Sequence, residues 1–322
     1  MIVVPIVARK PLGPGGPEVP VLALGSWNTW DRMDFSDAVA LVTRAAESGC
    51  AFFDIAHYDM GPHAENSRTD LIAGRAIRAA GLARQDWFYC GKLWLWDYPA
   101  TGFAGQLRTA LRRVGTEYAD AVVLGDYLGE LPVRRVLEDV TEQIEAGRFT
   151  HWGVNNWRYR DLRTALDLAR EHGLVPPVFA QLKYGPVRRA LAEGRYYAPL
   201  FASGELALQA SDVFEGGMLL GNLRPARKIG ADIGGIRYRI AATADRLRTL
   251  AGELDCSPAQ LAIAFCLANP ATANVLLGMS SMAQFTDNLG ALALLDRLGA
   301  QRLRRYAEPL WLDRHIASDG TW

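Results

Sequence analysis

The chain has 322 residues, half of them hydrophobic, with thirty-five acidic and thirty-five basic side chains and no formal net charge. That balance gives no reason to expect a nucleic acid or an anionic membrane surface as partner, and no apolar run is long enough to cross a bilayer or to serve as a secretory leader. The four cysteines (Cys50, Cys90, Cys256, Cys266) have neither metal-ligand spacing nor the density of a disulfide framework, so the expectation is a reduced, cytoplasmic protein with no metal centre.

Near the N-terminus, Pro11, Gly13, Pro14, Gly15, Gly16 and Pro17 form a turn between the apolar stretches Ile2–Ala8 and Val19–Leu24, which predicts a β-hairpin leading into the first true strand. Alternation follows. Helical periodicity runs over Phe35–Glu47, Thr69–Ala80, Phe103–Val114, Val133–Glu145 and Tyr159–His172, with short strand-like runs between them at Ala51–Ile55, Trp87–Lys92, Ala121–Leu124, Phe149–Val154 and Val178–Leu182. Leu206–Ser211 reads as a strand, Tyr238–Leu254 and Ser257–Ala268 as helices, Asn274–Leu277 as a strand and Met282–Ala293 as a helix. Counting the run that ends at Gly25, eight strands alternate with helices or long loops. Without a linker or repeat, this predicts a single domain over residues 1–322, a (β/α)8 barrel of the TIM type with an N-terminal hairpin. A doubly wound sheet is the alternative, but Gly25-Ser26-Trp27-Asn28 lacks the further glycines of a phosphate-binding turn. The irregular, glycine-rich segment from Asp212 to Ile236, with Arg224, Arg227 and Lys228, is the long loop after the seventh strand and reads as a lid.

In such a barrel the C-terminal strand ends face the cavity, so polar residues there read as chemistry. The second strand delivers Asp54, His57, Tyr58 and Asp59 within six positions. Read more blandly, Asp54 and His57 cap the next helix and Tyr58 is a half-buried aromatic. The third strand delivers Lys92, for which Asp54 on the neighbouring strand is the natural counter-ion. An ammonium beside a phenol lowers the phenol's proton affinity, which would make a tyrosine usable as an acid. Asn155, Asn156 and Gln181 offer paired donors and acceptors suited to a carboxamide. Gly278-Met279-Ser280-Ser281 leads into a helix carrying Gln284, Asp287 and Asn288, an arrangement that suits an anion. Trp27, Trp30, Trp94, Trp96 and Trp157 lie near strand ends and suggest a ring-bearing substrate, although barrel packing is the commoner use of large aromatics.

Taken in this order, Phe53-Asp54-Ile55-Ala56, Lys92, the run Gly147–Trp157, Gln181 and the run from Val275 to Leu289 resemble the aldo-keto reductase superfamily along nearly the whole chain. The resemblance implies an NADPH-dependent oxidoreductase acting on a small molecule, with Asp54, Tyr58 and Lys92 as the catalytic set. It further implies that Asn155, Asn156 and Gln181 orient the nicotinamide, that Gly25, Ser26, Trp27, Ser211 and Gly278 lie along the cofactor, and that Ser280, Gln284, Asp287 and Asn288 sit at its adenine end. Four positions depart from the pattern. The family's tyrosine falls at Asp59, so either Tyr58 moves into its role or His57 or Asp59 is the acid. Gly125 stands five residues after Asp120 where a histidine is expected, removing a donor and enlarging the cavity. Ala210 replaces the aromatic that stacks on the nicotinamide, leaving Phe214 or Trp27 to compensate. Gln284 stands where many members carry arginine, which loosens the preference for NADP over NAD. Two further readings follow: a redox-neutral lyase or isomerase using His57, Asp59 and Lys92, and a cofactor-binding protein with weak chemistry.

Overall fold

Eight of the short apolar runs pair edge to edge in a computed structural model that describes residues 7–61, 64–225 and 228–321. These strands are β3 (Leu22–Gly25), β4 (Phe52–Ile55), β5 (Phe88–Leu93), β6 (Ala121–Leu124), β7 (His151–Asn155), β8 (Phe179–Lys183), β9 (Ala207–Ser211) and β10 (Thr272–Leu277). All pair in parallel and in sequence order, and β10 closes the barrel against β3. The eight-stranded (β/α)8 barrel follows the sequence expectation.

Between the strands run α1 (Phe35–Glu47), α2 (Thr69–Ala79), α3 (Phe103–Val114), α4 (Val133–Glu145) and α5 (Tyr159–His172), then α8 (Arg237–Glu253), α9 (Pro258–Leu267) and α10 (Met282–Leu298). Their apolar faces bury Leu41, Leu107, Leu137 and Leu166 against the outward strand residues Phe53, Val122 and Leu182. Ser257 caps α9 through the backbone N–H of Gln260, with Pro258 in the first turn. Among the described residues no helix is long and apolar enough to cross a membrane. The sequence pattern did not reveal the short helices α6 (Ala190–Glu193) and α7 (Tyr197–Ala202), or the C-terminal α11 (Ala300–Ala307). The first two are too short to display a 3.6-residue period.

The hairpin is displaced from its expected position. Its arms are β1 (Arg9–Pro11) and β2 (Glu18–Pro20), and Leu22 begins a separate barrel strand. Residues 2–6 of the expected first arm lie outside the described residues. Leu12 and Val19 are fully buried with Ala23, Phe52, Cys90, Val123 and Phe179, so the hairpin closes the lower end of the barrel. Gly13 makes that approach possible: a Cβ there would lie 1.9 Å from the Val178 carbonyl oxygen. Strand register then fixes the upper end. Asp54 pairs with Cys90, Asn155 with Gln181 and Lys183 with Ser211, so each strand alternates core residues with side chains turned to the interior. All four cysteines are free, and three are buried.

Candidate active site

A cavity of about 200 Å³ opens at the C-terminal strand ends, and its wall includes Asp54, Tyr58, Lys92, Asn155, Asn156 and Gln181. Gly25, Ser26, Trp27, Ser211 and Gly278 line it as well. Sequence reading thus brought together side chains from seven strand ends.

The expected contact between Asp54 and Lys92 is replaced by an indirect one. Among the described residues no direct ion pair joins them. Lys92 Nζ donates to Gln181 Oε1 (2.7 Å), and Gln181 Nε2 donates to Asp54 Oδ2 (2.9 Å). Register explains the separation: Asp54 lies opposite Cys90, so Lys92 is one full pleat further along β5. Asp54 is buried, and its carboxyl is held above the usual range by desolvation, against the opposing influence of Lys92 and the Gln181 N–H.

Tyr58 points into the cavity, 4% exposed, with the rings of Trp94 at 5.6 Å and Trp27 at 6.3 Å. Trp94 Nε1 donates to the His57 carbonyl oxygen (2.7 Å) and ties down the loop that carries Tyr58. The expectation that Lys92 lowers the phenol's proton affinity is corrected here. Burial raises it well above the ordinary value, the Asp54 charge adds to this, and the Ser26 hydroxyl acts in the opposite sense. Neither His57 nor Asp59 lines the cavity. His57 Nε2 lies 3.2 Å from Asp59 Oδ2 and its Nδ1 3.5 Å from Asp70 Oδ2, within ion-pair range but without hydrogen-bond alignment at Nδ1. Asp70 is held in turn by two nitrogens of Arg113 (2.5 and 2.8 Å).

Gly125 does not enlarge the cavity. A Cβ at this position would lie 2.8 Å from Trp94 Cε3, so the indole already fills the space a side chain would take. Gly125→His alone is therefore expected to lower the melting temperature and leave turnover no better, because the new side chain meets the indole. Gly125→His with Trp94→Ala is expected to recover stability relative to Gly125→His, and thermal melts of the three variants check this. Ala210 packs in the outer core beneath the helices, Phe214 lines a neighbouring cavity, and Trp27 is the aromatic at the main one. Of the other tryptophans, Trp94 lines the cavity with Trp96 packed near it, whereas Trp30 and Trp157 are fully buried core residues.

A second cavity of about 400 Å³ is lined by Ser280, Gln284, Asp287 and Asn288, and it shares Gly216 and Gly278 with the first. Together they make one trough. Asp287 is already engaged, accepting from Ser257 Oγ (2.7 Å) and Gln260 Nε2 (2.8 Å). Gln284 Oε1 accepts from the Ser280 N–H (2.8 Å). Arg32, which the sequence reading passed over, supplies a cation at this end and donates to Asn28 Oδ1 (3.1 Å).

The loop from Asp212 to Ile236 contains two turns of 3-10 helix, Glu215–Leu220 and Ile233–Gly235, and its residues 228–231 and Ile233 border the main cavity. Arg227 lies outside the described residues. Arg188, 3% exposed, anchors the loop through Glu215 Oε1 (2.6 Å), the Ile233 carbonyl oxygen (2.6 Å) and Asp232 Oδ1 (2.9 Å). Asn28, Asn156 and Asp212, all bordering the two cavities, have left-handed backbone (φ 55°, 50° and 51°), a conformation that Asn and Asp adopt more readily than other side chains.

Lys183 was the main omission from the sequence reading. It lines the cavity, is nearly buried, and pairs with Asp212 Oδ2 at 2.5 Å. A compositional signal marked it: the chain contains four lysines and thirty-one arginines. Three of the four lysines, Lys92, Lys183 and Lys228, line this one cavity. At these three positions the cation is a compact ammonium with freely rotating donors rather than the planar guanidinium used nearly everywhere else in the chain.

A family model described as the aldo/keto reductase family matches residues 21–307. A probable voltage-gated potassium channel subunit beta from Oryza sativa subsp. japonica is 28% identical over 313 residues, covering 90% of this chain and 92% of that protein. Among solved structures, a thermostable aldo-keto reductase in complex with the inhibitor epalrestat superposes with a TM-score of 0.71 at 22% identity, covering 94% of this chain and 99% of the other. An aldo/keto reductase from Klebsiella pneumoniae in complex with NADP and acetate gives 0.73 at 20% identity, covering 97% and 99%. At these identities the two structures establish the likeness of fold.

Proposed function

The chain belongs to the aldo/keto reductase family, and on that premise we propose that it is an NADPH-dependent reductase of a small carbonyl, imine or conjugated substrate, with a ring-bearing molecule favoured. One observation carries the reading: a carboxyl, an ammonium and a phenol line a single cavity that adjoins a second one through Gly216 and Gly278. The donor set fits such a cofactor. Asn155 uses its Nδ2 and Asn156 its Oδ1 in protein hydrogen bonds, which leaves one acceptor and one donor for a carboxamide. Gly25, Ser26, Trp27, Ser211 and Gly278 would flank the middle of the cofactor, with Ser280, Gln284, Asn288 and Arg32 at the adenine end.

When bound, NADPH supplies a hydride to the electrophilic carbon. Tyr58 donates its proton to the oxygen or nitrogen on which charge develops, and the rings of Trp27 and Trp94 exclude water from it. Gly125 supplies no side-chain donor, so this polarisation falls to Tyr58. A redox-neutral reading loses support because His57 and Asp59 lie outside the cavity. A cofactor-binding subunit with weak chemistry is the second reading, favoured by the likeness to a probable channel subunit. Titration of the tryptophan fluorescence with NADPH, followed by NADPH oxidation over a panel of aldehydes, ketones and imines, separates them. Quenching with turnover is expected; quenching without turnover supports the subunit, and no quenching overturns both.

A further inference from the structure

The loop that carries Tyr58 is tied by its backbone at two points. Trp94 Nε1 donates to the His57 carbonyl oxygen (2.7 Å), and the Glu65 N–H donates to the Tyr58 carbonyl oxygen (3.0 Å). The side chain just before the phenol turns away from the cavity, toward α2. His57 is 20% exposed, and both nitrogens of its ring face acids: Asp59 Oδ2 is 3.2 Å from Nε2, and Asp70 Oδ2 is 3.5 Å from Nδ1. Asp59 is on the same loop, one residue beyond Tyr58. Asp70 is buried in the first turn of α2, where two nitrogens of Arg113 on α3 (2.5 and 2.8 Å) and the Leu71 N–H (2.9 Å) hold it. The His57 ring therefore joins a fixed helix start to the far side of Tyr58.

Whether that junction holds depends on the proton count of the ring. A carboxylate only accepts hydrogen bonds, and a neutral imidazole has one N–H and one lone pair. Neutral, the ring would turn its lone pair toward one of the two acids. Protonated, it presents an N–H to each and a positive charge to both. The Nδ1 atom is buried and makes no hydrogen bond, so what draws it to Asp70 is charge rather than alignment. Counting charges leads to the same state. Among the described residues the groups facing the ring are Asp59 on its own loop, Asp70 on α2 and, behind Asp70, Arg113 on α3. Arg113 is stabilised as a cation by its hydrogen bond to Asp70 above all, with Asp59 acting from farther off. One guanidinium thus serves two carboxylates, and the cluster keeps a net negative charge unless the imidazole is protonated. The acids Asp54 and Glu65 act on the Tyr58 hydroxyl.

We propose that His57, as an imidazolium, is the positioning residue for Tyr58: it clamps Asp59 to Asp70 and so keeps the loop set with the phenol in the cavity. The inference rests on the reductase reading, in which Tyr58 is the acid. As pH rises and the ring gives up its proton, the clamp opens and turnover falls, although Tyr58 still holds its own proton. Imidazole is the side chain that ordinarily changes charge between about pH 5 and 8, a range in which a buried phenol does not titrate. The clamp lies outside the cavity, so the cofactor binds equally well with it open or closed.

The test compares wild type with His57→Phe, which keeps a ring but neither nitrogen, and with His57→Lys, which keeps a charge throughout the pH series. Para-nitrobenzaldehyde is the probe substrate. Wild-type kcat is expected to fall about tenfold as pH rises from about 5.5 to 8.5. His57→Phe is expected to show the low value at every pH. His57→Lys is expected to stay within about threefold of the acidic wild-type value with no limb, and both variants to keep the NADPH dissociation constant within about twofold. Without turnover, NMR of protein labelled at the histidine nitrogens, with the His57 signal assigned among the five histidines from His57→Phe, is expected to show both ring nitrogens protonated on the acid side. Protection of the Glu65 amide from solvent exchange is expected to fall about tenfold as that signal titrates. A limb that persists in His57→Lys, or a His57→Phe variant with wild-type kcat across the series, overturns the proposal. So does a ring that is neutral at every pH, or a Glu65 amide whose protection does not follow the ring. If the wild type reduces no carbonyl, the reductase reading falls, and the two NMR measurements still decide the clamp.

Discussion

Tyr58→Phe is expected to lower kcat about a thousandfold, with NADPH affinity within about threefold of wild type and little change in melting temperature. The cavity holds few alternatives to this phenol. His57 and Asp59 are turned to a network outside it, and the Trp94 N–H is given to the His57 carbonyl. Lys92 is hydrogen-bonded to Gln181, and Gly125 has no side chain. The ring itself packs beside Trp27 and Trp94, and those contacts survive removal of the hydroxyl, so the fold is expected to tolerate the change. Because burial and the Asp54 charge raise the proton affinity of Tyr58, the phenol keeps its proton throughout the working range. The pH profile of kcat/KM is therefore expected to carry no limb from Tyr58 between about pH 6 and 9. Stopped-flow NADPH oxidation by the variant checks the first expectation and a steady-state pH series the second. A variant retaining more than about a tenth of wild-type kcat removes Tyr58 from the acid role.

The parts of this architecture governed by short-range periodicity were legible in the sequence. The helices Phe35–Glu47, Phe103–Val114, Val133–Glu145 and Tyr159–His172 and the strand Ala121–Leu124 have the bounds their apolar spacing predicts. Asp54, Lys92, Asn155 and Gln181 were recognisable because each ends an apolar strand with a polar side chain. What the side chains do to one another was not legible. Whether Lys92 meets Asp54 or Gln181 depends on register across the barrel, and no local pattern encodes that choice. Gly125 reads as empty space until Trp94, thirty-one positions earlier, is seen lying over it. The proton affinity of Tyr58 likewise depends on burial, which reversed the direction expected from a neighbouring lysine. Lys183 was within reach by another route, since its rarity in an arginine-rich chain is a property of the sequence alone.

Asp54→Asn is expected to raise the melting temperature at neutral pH by a few degrees and to cut kcat about a hundredfold or more. Asp54 is buried, and desolvation raises its proton affinity by more than Lys92 and Gln181 lower it. A carboxyl with higher proton affinity in the folded state binds its proton preferentially there. Its contribution to stability is complete below the unfolded value, near about pH 4, and is lost as pH rises through the folded value. Above that point the native state holds a desolvated charge that the unfolded chain would hydrate. Asparagine carries no charge, and its Oδ1 can accept the Gln181 N–H that Asp54 Oδ2 accepts now. Calorimetric melts across about pH 4 to 8 are expected to show wild type losing stability relative to the variant as pH rises. A variant less stable than wild type at every pH would mean that Lys92, acting through Gln181, outweighs the desolvation of Asp54. The loss of turnover is expected from the same group, because Lys92, hydrogen-bonded to Gln181, then has no carboxylate on the far side of that amide. A buried charge that destabilises the fold while organising the reacting groups is what a site selected for chemistry rather than stability retains.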